Sequence, residues 1–480
     1  MSKLDIEPHL FIILGATGNL SQKKLFPAIY TLSAKGILKG KSKILGVARK
    51  KISDQDFRVQ SREILKKVGL KVDPSIYVPW CESCLFYHSL GHGMIEDYKE
   101  LASRIEKIEQ ENELSGNRVF YMALPPGVLH STIEHIGKVG LNRSDGWTRL
   151  VIEKPFGTDL TSAKALNSLL DSYFDESQIY RIDHFLGKET VQNLLVFRFT
   201  NSVFEHLWNR DHIESVEITV AEKKGIEGRA HYFEQIGTLR DMVQNHLIQL
   251  LTLIAMEAPV AFQAEDIRNE KAKILRQIVP IKEKNVVYGQ YTRGKIDGKQ
   301  VRGYREESGI SSNSRTETFV KLILFIANWR WQGVPFILRT GKRLPKRLTQ
   351  IVINFHAAPV SIFNPFEEKN PVEQNALTLT LQPDEGFDLK FQVKTIGQNI
   401  KTTTQRLLFK YSEAFGPISD AYENLLLDVI TNDQTLFVRY DEVEAAWKIF
   451  ETLLKKDITV HDYLSGTHGP PQVKQESRTH

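Results

Sequence analysis

Along the first 180 residues, short apolar runs alternate with segments whose apolar positions recur at helical spacing. "LFIILG", "KILGVA", "RVFYMAL", "RLVIEK" and "IYRID" read as strands, and residues 19–35, 94–114, 128–138 and 162–174 as helices. Strands apolar on both faces with helices between them predict a parallel sheet covered on both sides, the doubly wound α/β arrangement. After residue 181 the rhythm changes. One amphipathic helix is expected near 231–256, and the runs "ESVEITVAE", "QIVINFHA", "NALTLTLQP", "FDLKFQVKT" and "QRLLFKY" predict an α+β domain with a large, mostly antiparallel sheet. The expected domains are 1–180 and 181–464. Residues 286–315, polar and rich in glycine and serine, read as a long surface loop, and 465–480 as a disordered tail without apolar anchors.

Composition narrows the partners. The 480 residues carry 63 basic and 58 acidic side chains, a net charge of +5. That spread is not the basic footprint of a nucleic-acid binder; small anionic ligands suit it better. The start has no signal-peptide core, and no run approaches ~18 apolar residues, so a cytoplasmic protein without membrane contact is expected. The two cysteines, Cys81 and Cys84, stand in "CESC" ahead of His88 and His92. A zinc module needs roughly a dozen residues between its halves, and Glu82 opposes a lowered thiolate pKa, so they read as incidental thiols and no metal is expected.

Candidate chemistry begins at "GATGNLS". Gly15, Gly18 and Ser21 form a G-x-x-G-x-x-S variant of the phosphate-cradling turn, with small Ala16 and Thr17 leaving room for phosphate at a helix N-terminus. An ordinary strand-to-helix turn would also explain it. At the end of the second strand, where Asp or Glu would hold a ribose hydroxyl, stand Arg49, Lys50 and Lys51. Cations there favour a 2′-phosphate, hence NADP over NAD, with Thr17 and Arg49 as contacts and Lys24 as a further basic candidate. Residues 1–180 are accordingly expected to be a Rossmann-like dinucleotide-binding domain.

Three further stretches carry reactive groups. "EKPFG" (153–157) presents Lys154 after a strand, where ligands of open α/β sheets sit. "RIDHFLGKE" (181–189) gathers Asp183, His184 and Lys188, and "RDMVQNH" (240–246) ends in His246. A charged strand-end loop and a core histidine are the plain alternatives. The sharper reading pairs imidazole and carboxylate as a base dyad. "VPFILRTGKRLPKR" clusters Lys342, Arg343, Lys346 and Arg347, for an anion or for water; its glycine spacing is not that of a P-loop.

In this order, these stretches resemble the glucose-6-phosphate dehydrogenase family, together with "ALPP", "GYREE", "SRTETF", "LQPDE" and "AYENLLLDV". The resemblance implies oxidation of β-D-glucose 6-phosphate at C1 to 6-phospho-D-glucono-1,5-lactone by NADP, in the oxidative pentose phosphate route. It implies His246 as general base, Asp183 as its carboxylate partner, and Lys154 near both cofactor and sugar. His184 and Lys188 match phosphate contacts, and Glu222, Asp241, Lys342 and Gln382 sugar contacts, with Arg347 a further one. Gly15, Thr17, Gly18, Asn19, Leu20, Lys24, Arg49 and Lys154 would hold the cofactor. The second domain would bind substrate and form a homodimer or homotetramer.

The competing readings are an NAD-dependent free-sugar oxidoreductase sharing "EKP" and a catalytically silent NADP-binding redox sensor. One geometric difficulty stands out: on an ideal helix, Asp241 and His246 lie about 140° apart. The chain also departs from the family pattern. Asn19 replaces the usual Asp, "GRAHYFE" at 228–234 replaces a glycine-richer version, and the carboxyl-terminal extension with a second NADP site is not expected. Phe185 stands where the family usually has a tyrosine that reaches the phosphate. Phe185→Tyr should therefore lower the Michaelis constant for glucose 6-phosphate in initial-rate measurements, and an unchanged or higher value would refute the contact.

Overall fold

The structure, a computed structural model, describes residues 6–38, 40–359, 362, 373–397, 402–416 and 419–475. Residues 1–5, and 476–480 of the expected tail, lie outside the described residues. The chain divides into two compact units. The first comprises residues 1–187, 263–268 and 419–443, and the second residues 188–262, 269–418 and 444–480.

The first unit is built on a seven-stranded sheet. Its strands are β1 (His9–Leu14), β2 (Ser42–Ala48), β3 (Leu85–Ser89), β4 (Arg118–Met122), β5 (Thr148–Glu153) and β6 (Ile179–Ile182), with a two-residue strand, Phe437–Val438, antiparallel to β6. The spatial order β3-β2-β1-β4-β5-β6 is the doubly wound one, all parallel, with its switch point between β1 and β4. All six residues of β1 are buried, which is why it shows no alternation. β3 and the helices Asp54–Lys67 and Pro74–Cys84 join the expected elements. The first of these helices has a capping box between Ser53 and Asp56. Cys81 and Cys84 are buried in the second, in the apolar core with Tyr77 and Trp80, and burial pushes the Cys81 thiol up.

The second unit holds a nine-stranded sheet. Its strands are β7 (Ile213–Ala221), β8 (Val286–Thr292), β11 (Phe319–Leu324), β12 (Phe336–Gly341), β13 (Leu348–Phe355), β14 (Ala376–Gln382), β15 (Gly386–Lys394), β16 (Thr402–Lys410) and β18 (Val460–Leu464). β9 (Gly294–Ile296) and β10 (Lys299–Val301) form a separate hairpin, and Phe437–Val438 of the first unit is β17. The order is β16-β15-β14-β13-β7-β12-β11-β8-β18, antiparallel except for β7 beside β12 and β8 beside β18. β13 and β14 bury every second residue, as their alternating sequences require.

Three expectations need correction. The stretch 286–315 is not simply a loop, because "VVYGQYT" is the buried strand β8. Its polar residues are satisfied inside: Gln290 donates to the Ser314 and Thr316 carbonyls at 3.1 and 2.9 Å, and Gly289 is bare because Pro470 packs there. The tail is ordered as far as Gln475. Ser465 Oγ donates to the Thr292 carbonyl at 2.7 Å, Gly466 N–H to the Arg343 carbonyl at 2.7 Å, and Val473 packs on the core around Phe319 and Tyr463. The helix near 231–256 is not continuous. It breaks at Gly237 into Ala230–Thr238, a π-helical segment Leu239–Leu247, and Ile248–Ala255. Among the described residues, no helix is long and apolar enough to cross a membrane.

Phe319, fully buried at the start of β11, touches Gly341, Gly469 and Tyr463. Phe319→Ala should destabilise the second unit by about 3–5 kcal/mol through the cavity it leaves. Thermal unfolding followed by tryptophan fluorescence checks this, and a midpoint unchanged from wild type would contradict the packing.

Candidate active site

In the first unit, candidate residues stand at the carboxyl ends of the parallel strands. Gly15 ends β1 with φ 91°, and a Cβ there would lie 2.2 Å from the Ala123 carbonyl oxygen beyond β4. No other residue type fits that crossing. The turn is laced by Gly15 N–H and Ala16 N–H donating to the Val47 carbonyl at 2.8 and 3.1 Å, by Gly18 N–H to Gly15 O at 2.9 Å, and by Ser21 Oγ to the same oxygen at 2.9 Å. Thr17 and Asn19 are exposed, Gly18 and Leu20 half-buried, and the helix that follows opens with a π turn over Ser21–Leu25. An exposed turn at a helix start, with bare backbone at Gly15 and Gly18, fits a dinucleotide pyrophosphate.

Arg49 is exposed just past β2, two residues beyond the carbonyl that holds the turn. Lys24 forms an exposed ion pair with Asp420 at 2.6 Å, so contact with a phosphate requires it to leave that carboxylate. Lys154 is half-buried after β5. Asp183 is buried after β6, where Oδ1 accepts the Phe185 N–H at 2.9 Å and its carbonyl accepts the Leu186 N–H at 2.9 Å. That turn leaves His184 half-buried, edge-on to the Phe185 ring at 5.1 Å.

The second unit supplies the rest. Lys188 Nζ donates to Gln382 Oε1 at 3.0 Å, which places Lys188 at the end of β14. Lys342, only 2% exposed at the end of β12, pairs with Glu222 at 2.5 Å beside the Phe233 ring. Arg347 stays exposed in the turn before β13 and joins neither pair. Asp241 and His246 are both buried in the π-helical segment Leu239–Leu247. A π turn closes by i→i+5 bonds, so it brings a residue back to the face of the one five positions earlier. The distortion removes the difficulty an ideal helix would pose.

One chemically active group escapes the sequence reading. Glu153 Oε1, at the end of β5, accepts from the Tyr121 phenol at 2.6 Å and the Tyr422 phenol at 3.1 Å. Loss of water pushes its pKa up to about 7, with the two phenols and Lys154 opposing and Asp183 adding to the rise. Its signal was present but unread: a carboxylate closing an apolar strand, next to the candidate lysine.

Comparison with known proteins shows the family. The family models "Glucose-6-phosphate dehydrogenase, NAD binding domain" and "Glucose-6-phosphate dehydrogenase, C-terminal domain" match residues 12–193 and 195–480. The chain belongs to the glucose-6-phosphate dehydrogenase family. Like other members, it is an oxidoreductase with a dinucleotide-binding domain for a nicotinamide cofactor. It is 41% identical to a glucose-6-phosphate 1-dehydrogenase of Chlamydia muridarum, over 96% of this chain and 94% of the other. With glucose-6-phosphate 1-dehydrogenase 6, cytoplasmic, of Arabidopsis thaliana it shares 42% identity, over 97% of this chain and 90% of the other. A solved glucose-6-phosphate dehydrogenase in complex with its substrate glucose-6-phosphate matches with a TM-score of 0.91 and 36% identity, covering 99% of this chain and 98% of that one.

The raised Glu153 pKa sets a pH dependence. Between the ordinary carboxylate value and about 7 the folded state binds the extra proton, so this contribution to stability is present at low pH and is lost as pH rises to about 7. Glu153→Gln keeps an acceptor for Tyr121 without a charge. Its stability relative to wild type should improve by about 1–3 kcal/mol from pH 5 to pH 8. Unfolding midpoints across that range check it, and a constant difference would show that Glu153 titrates normally.

Proposed function

We propose that the chain oxidises β-D-glucose 6-phosphate at C1 to 6-phospho-D-glucono-1,5-lactone with NADP, and that His246 is the general base. Bound NADP supplies the hydride acceptor. The imidazole takes the proton of the C1 hydroxyl as the C1 hydrogen departs as hydride, so the carbon loses two electrons and becomes the lactone carbonyl. Asp183 supports the imidazole in its useful tautomer and stabilises the cation that forms. Lys154 holds a substrate oxygen and contacts the cofactor. His184 and Lys188 bind the phosphate, whose remote contacts orient C1. Glu222, Asp241, Lys342 and Gln382 bind the sugar hydroxyls, with Arg347 a further contact.

The observation that carries the base assignment is the π turn shared by Asp241 and His246, which lets one sugar meet both. The preference for NADP is supported by Arg49, exposed beyond β2 where a ribose-binding carboxylate would otherwise stand. Gly15, Thr17, Gly18, Asn19 and Leu20 then cradle the pyrophosphate, with Lys24 nearby. A homodimer or homotetramer through the second unit's sheet is supported by Leu407 and Leu408, both exposed on the edge strand β16. The Arabidopsis relative's name supports a cytoplasmic location.

Initial rates with glucose 6-phosphate, run with NADP and NAD in parallel, test this reading. His246→Asn should lower kcat by about 10²–10⁴-fold, and Arg49→Ala should raise the KM for NADP far more than that for NAD. NADP binding without turnover by wild type would favour the sensor, and an unchanged kcat in His246→Asn would remove the base assignment.

A further inference from the structure

The segment Thr316–Thr318 precedes β11 and bonds both to the backbone of Lys342 and to the helical segments that lead to Asp241 and His246. On one side, Thr318 N–H donates to the Gly289 carbonyl at 2.7 Å, and the Thr318 carbonyl accepts the N–H of Lys342 at 2.9 Å. On the other, Thr316 Oγ1 donates to the Glu234 carbonyl at 3.1 Å, in the helix Ala230–Thr238. Between them, the Glu317 carbonyl accepts the Thr238 N–H at 3.1 Å, and Glu317 Oε1 accepts the Leu239 N–H at 2.9 Å.

Leu239 is the first residue of the π-helical segment that carries Asp241 and His246. A helix start leaves N–H groups without intrahelical acceptors, and a carboxylate there satisfies one and complements the helix dipole. Here the capping group comes from another element, 78 residues away in sequence. The approach is made possible by Gly237, whose φ of 65° and ψ of 176° break the preceding helix. A Cβ on that residue would stand 2.4 Å from Glu317 Oε1 and 2.7 Å from Oε2. Burial pushes the Glu317 carboxyl up, against the pull of the Leu239 N–H and of Arg240, and burial, with Glu317 adding to it, raises the neighbouring Tyr288 phenol.

We infer that Glu317 is a positioning residue for the reaction: by capping Leu239 across the Gly237 break, it fixes the axial position and rotation of the π-helical segment, and with them the placement of His246 and Asp241. This rests on the assignment of His246 as base. Glu317 directly precedes Thr318, whose backbone oxygen holds Lys342, so helix and lysine share one support. A cap lost at Leu239 lets the first turn fray or rewind toward α-helical closure, which would turn Asp241 and His246 onto different faces.

The test compares Glu317→Ala, Glu317→Gln and His246→Asn in the full-length enzyme, with kcat, KM for each substrate and unfolding midpoint measured together. Misplacement of a reacting group by about 1 Å costs about 10²-fold, so Glu317→Ala should lower kcat 10–100-fold on that scale. The KM for NADP should stay within about twofold, because the Gly15 turn lies in the other unit. Glu317→Gln keeps an oxygen for the Leu239 N–H and should recover kcat to within about threefold of wild type. If Glu317→Ala does not fold, Glu317→Asp, one methylene too short to reach Leu239, takes its place with the same expected loss. A lowered midpoint with kcat unchanged would overturn the inference, as would a Gln variant no better than Ala. If His246→Asn leaves kcat intact, it is the base assignment that fails. If it abolishes kcat while the Glu317 variants do not change it, the positioning role alone fails.

Discussion

Where a strand stops, its last backbone groups still need partners, and in both units the partners are the loops that carry the candidate side chains. Past the end of β1, Gly15 and Ala16 bond to Val47 of β2, and Ala123 beyond β4 donates to Leu14 at 2.9 Å. Past the end of β7, Glu222 N–H donates to Gly341 at 2.9 Å, and its carbonyl accepts the N–H of Leu344 at 3.0 Å. These are ladder bonds continued into loops. They fix the main chain of Glu222 and Lys342 before any side chain is considered, so the 2.5 Å contact between the two follows from sheet register.

The same requirement shows why so much of the fold could be read and some of it could not. Parallel strands buried on both faces leave apolar runs such as "LFIILG", and β13 and β14 leave strict alternation; both signals are local. β8 is flanked by strands on both sides yet carries Gly289 and Gln290, whose roles appear only when Pro470 packs on one and the carbonyls of Ser314 and Thr316 bond the other. Composition made that segment look like a loop because its polar groups are satisfied by residues distant in sequence. The tail beyond Ser465 misled in the same way. It is poor in apolar residues, but Gly466 and Ser465 are held by backbone carbonyls of Arg343 and Thr292, which no hydropathy pattern reports.

Within the candidate site the division is similar. Residue types and order in "RIDHFLGKE" and "RDMVQNH" named the groups, while the π-helical form that carries Asp241 and His246 was hidden. Helical periodicity assumes i→i+4 closure, and only the structure shows the i→i+5 closure over Leu239–Leu247. Partners set by tertiary packing were hidden too. Lys24, a basic candidate in the sequence, is held by Asp420 at 2.6 Å, and Glu153, which the sequence does not single out, is enclosed by Tyr121 and Tyr422.

The Lys342–Glu222 pair shows how such packing selects chemistry. A lysine 2% exposed beside an aromatic ring would be strongly disfavoured as an isolated charge, and the carboxylate at 2.5 Å makes its burial tolerable. The Tyr463 phenol, donating to the Lys342 carbonyl at 2.6 Å, and the Thr318 carbonyl, accepting its N–H, hold the backbone from both sides. The result is a rigid pair of near-zero net charge that offers both ammonium donors and carboxylate acceptors. An anion gains little from such a pair, because attraction to the ammonium is offset by repulsion from the carboxylate. A sugar hydroxyl, which donates and accepts at once, can bond both members without disturbing their charge balance. The chemistry of this pair therefore suits the neutral ring of a sugar phosphate rather than its phosphate.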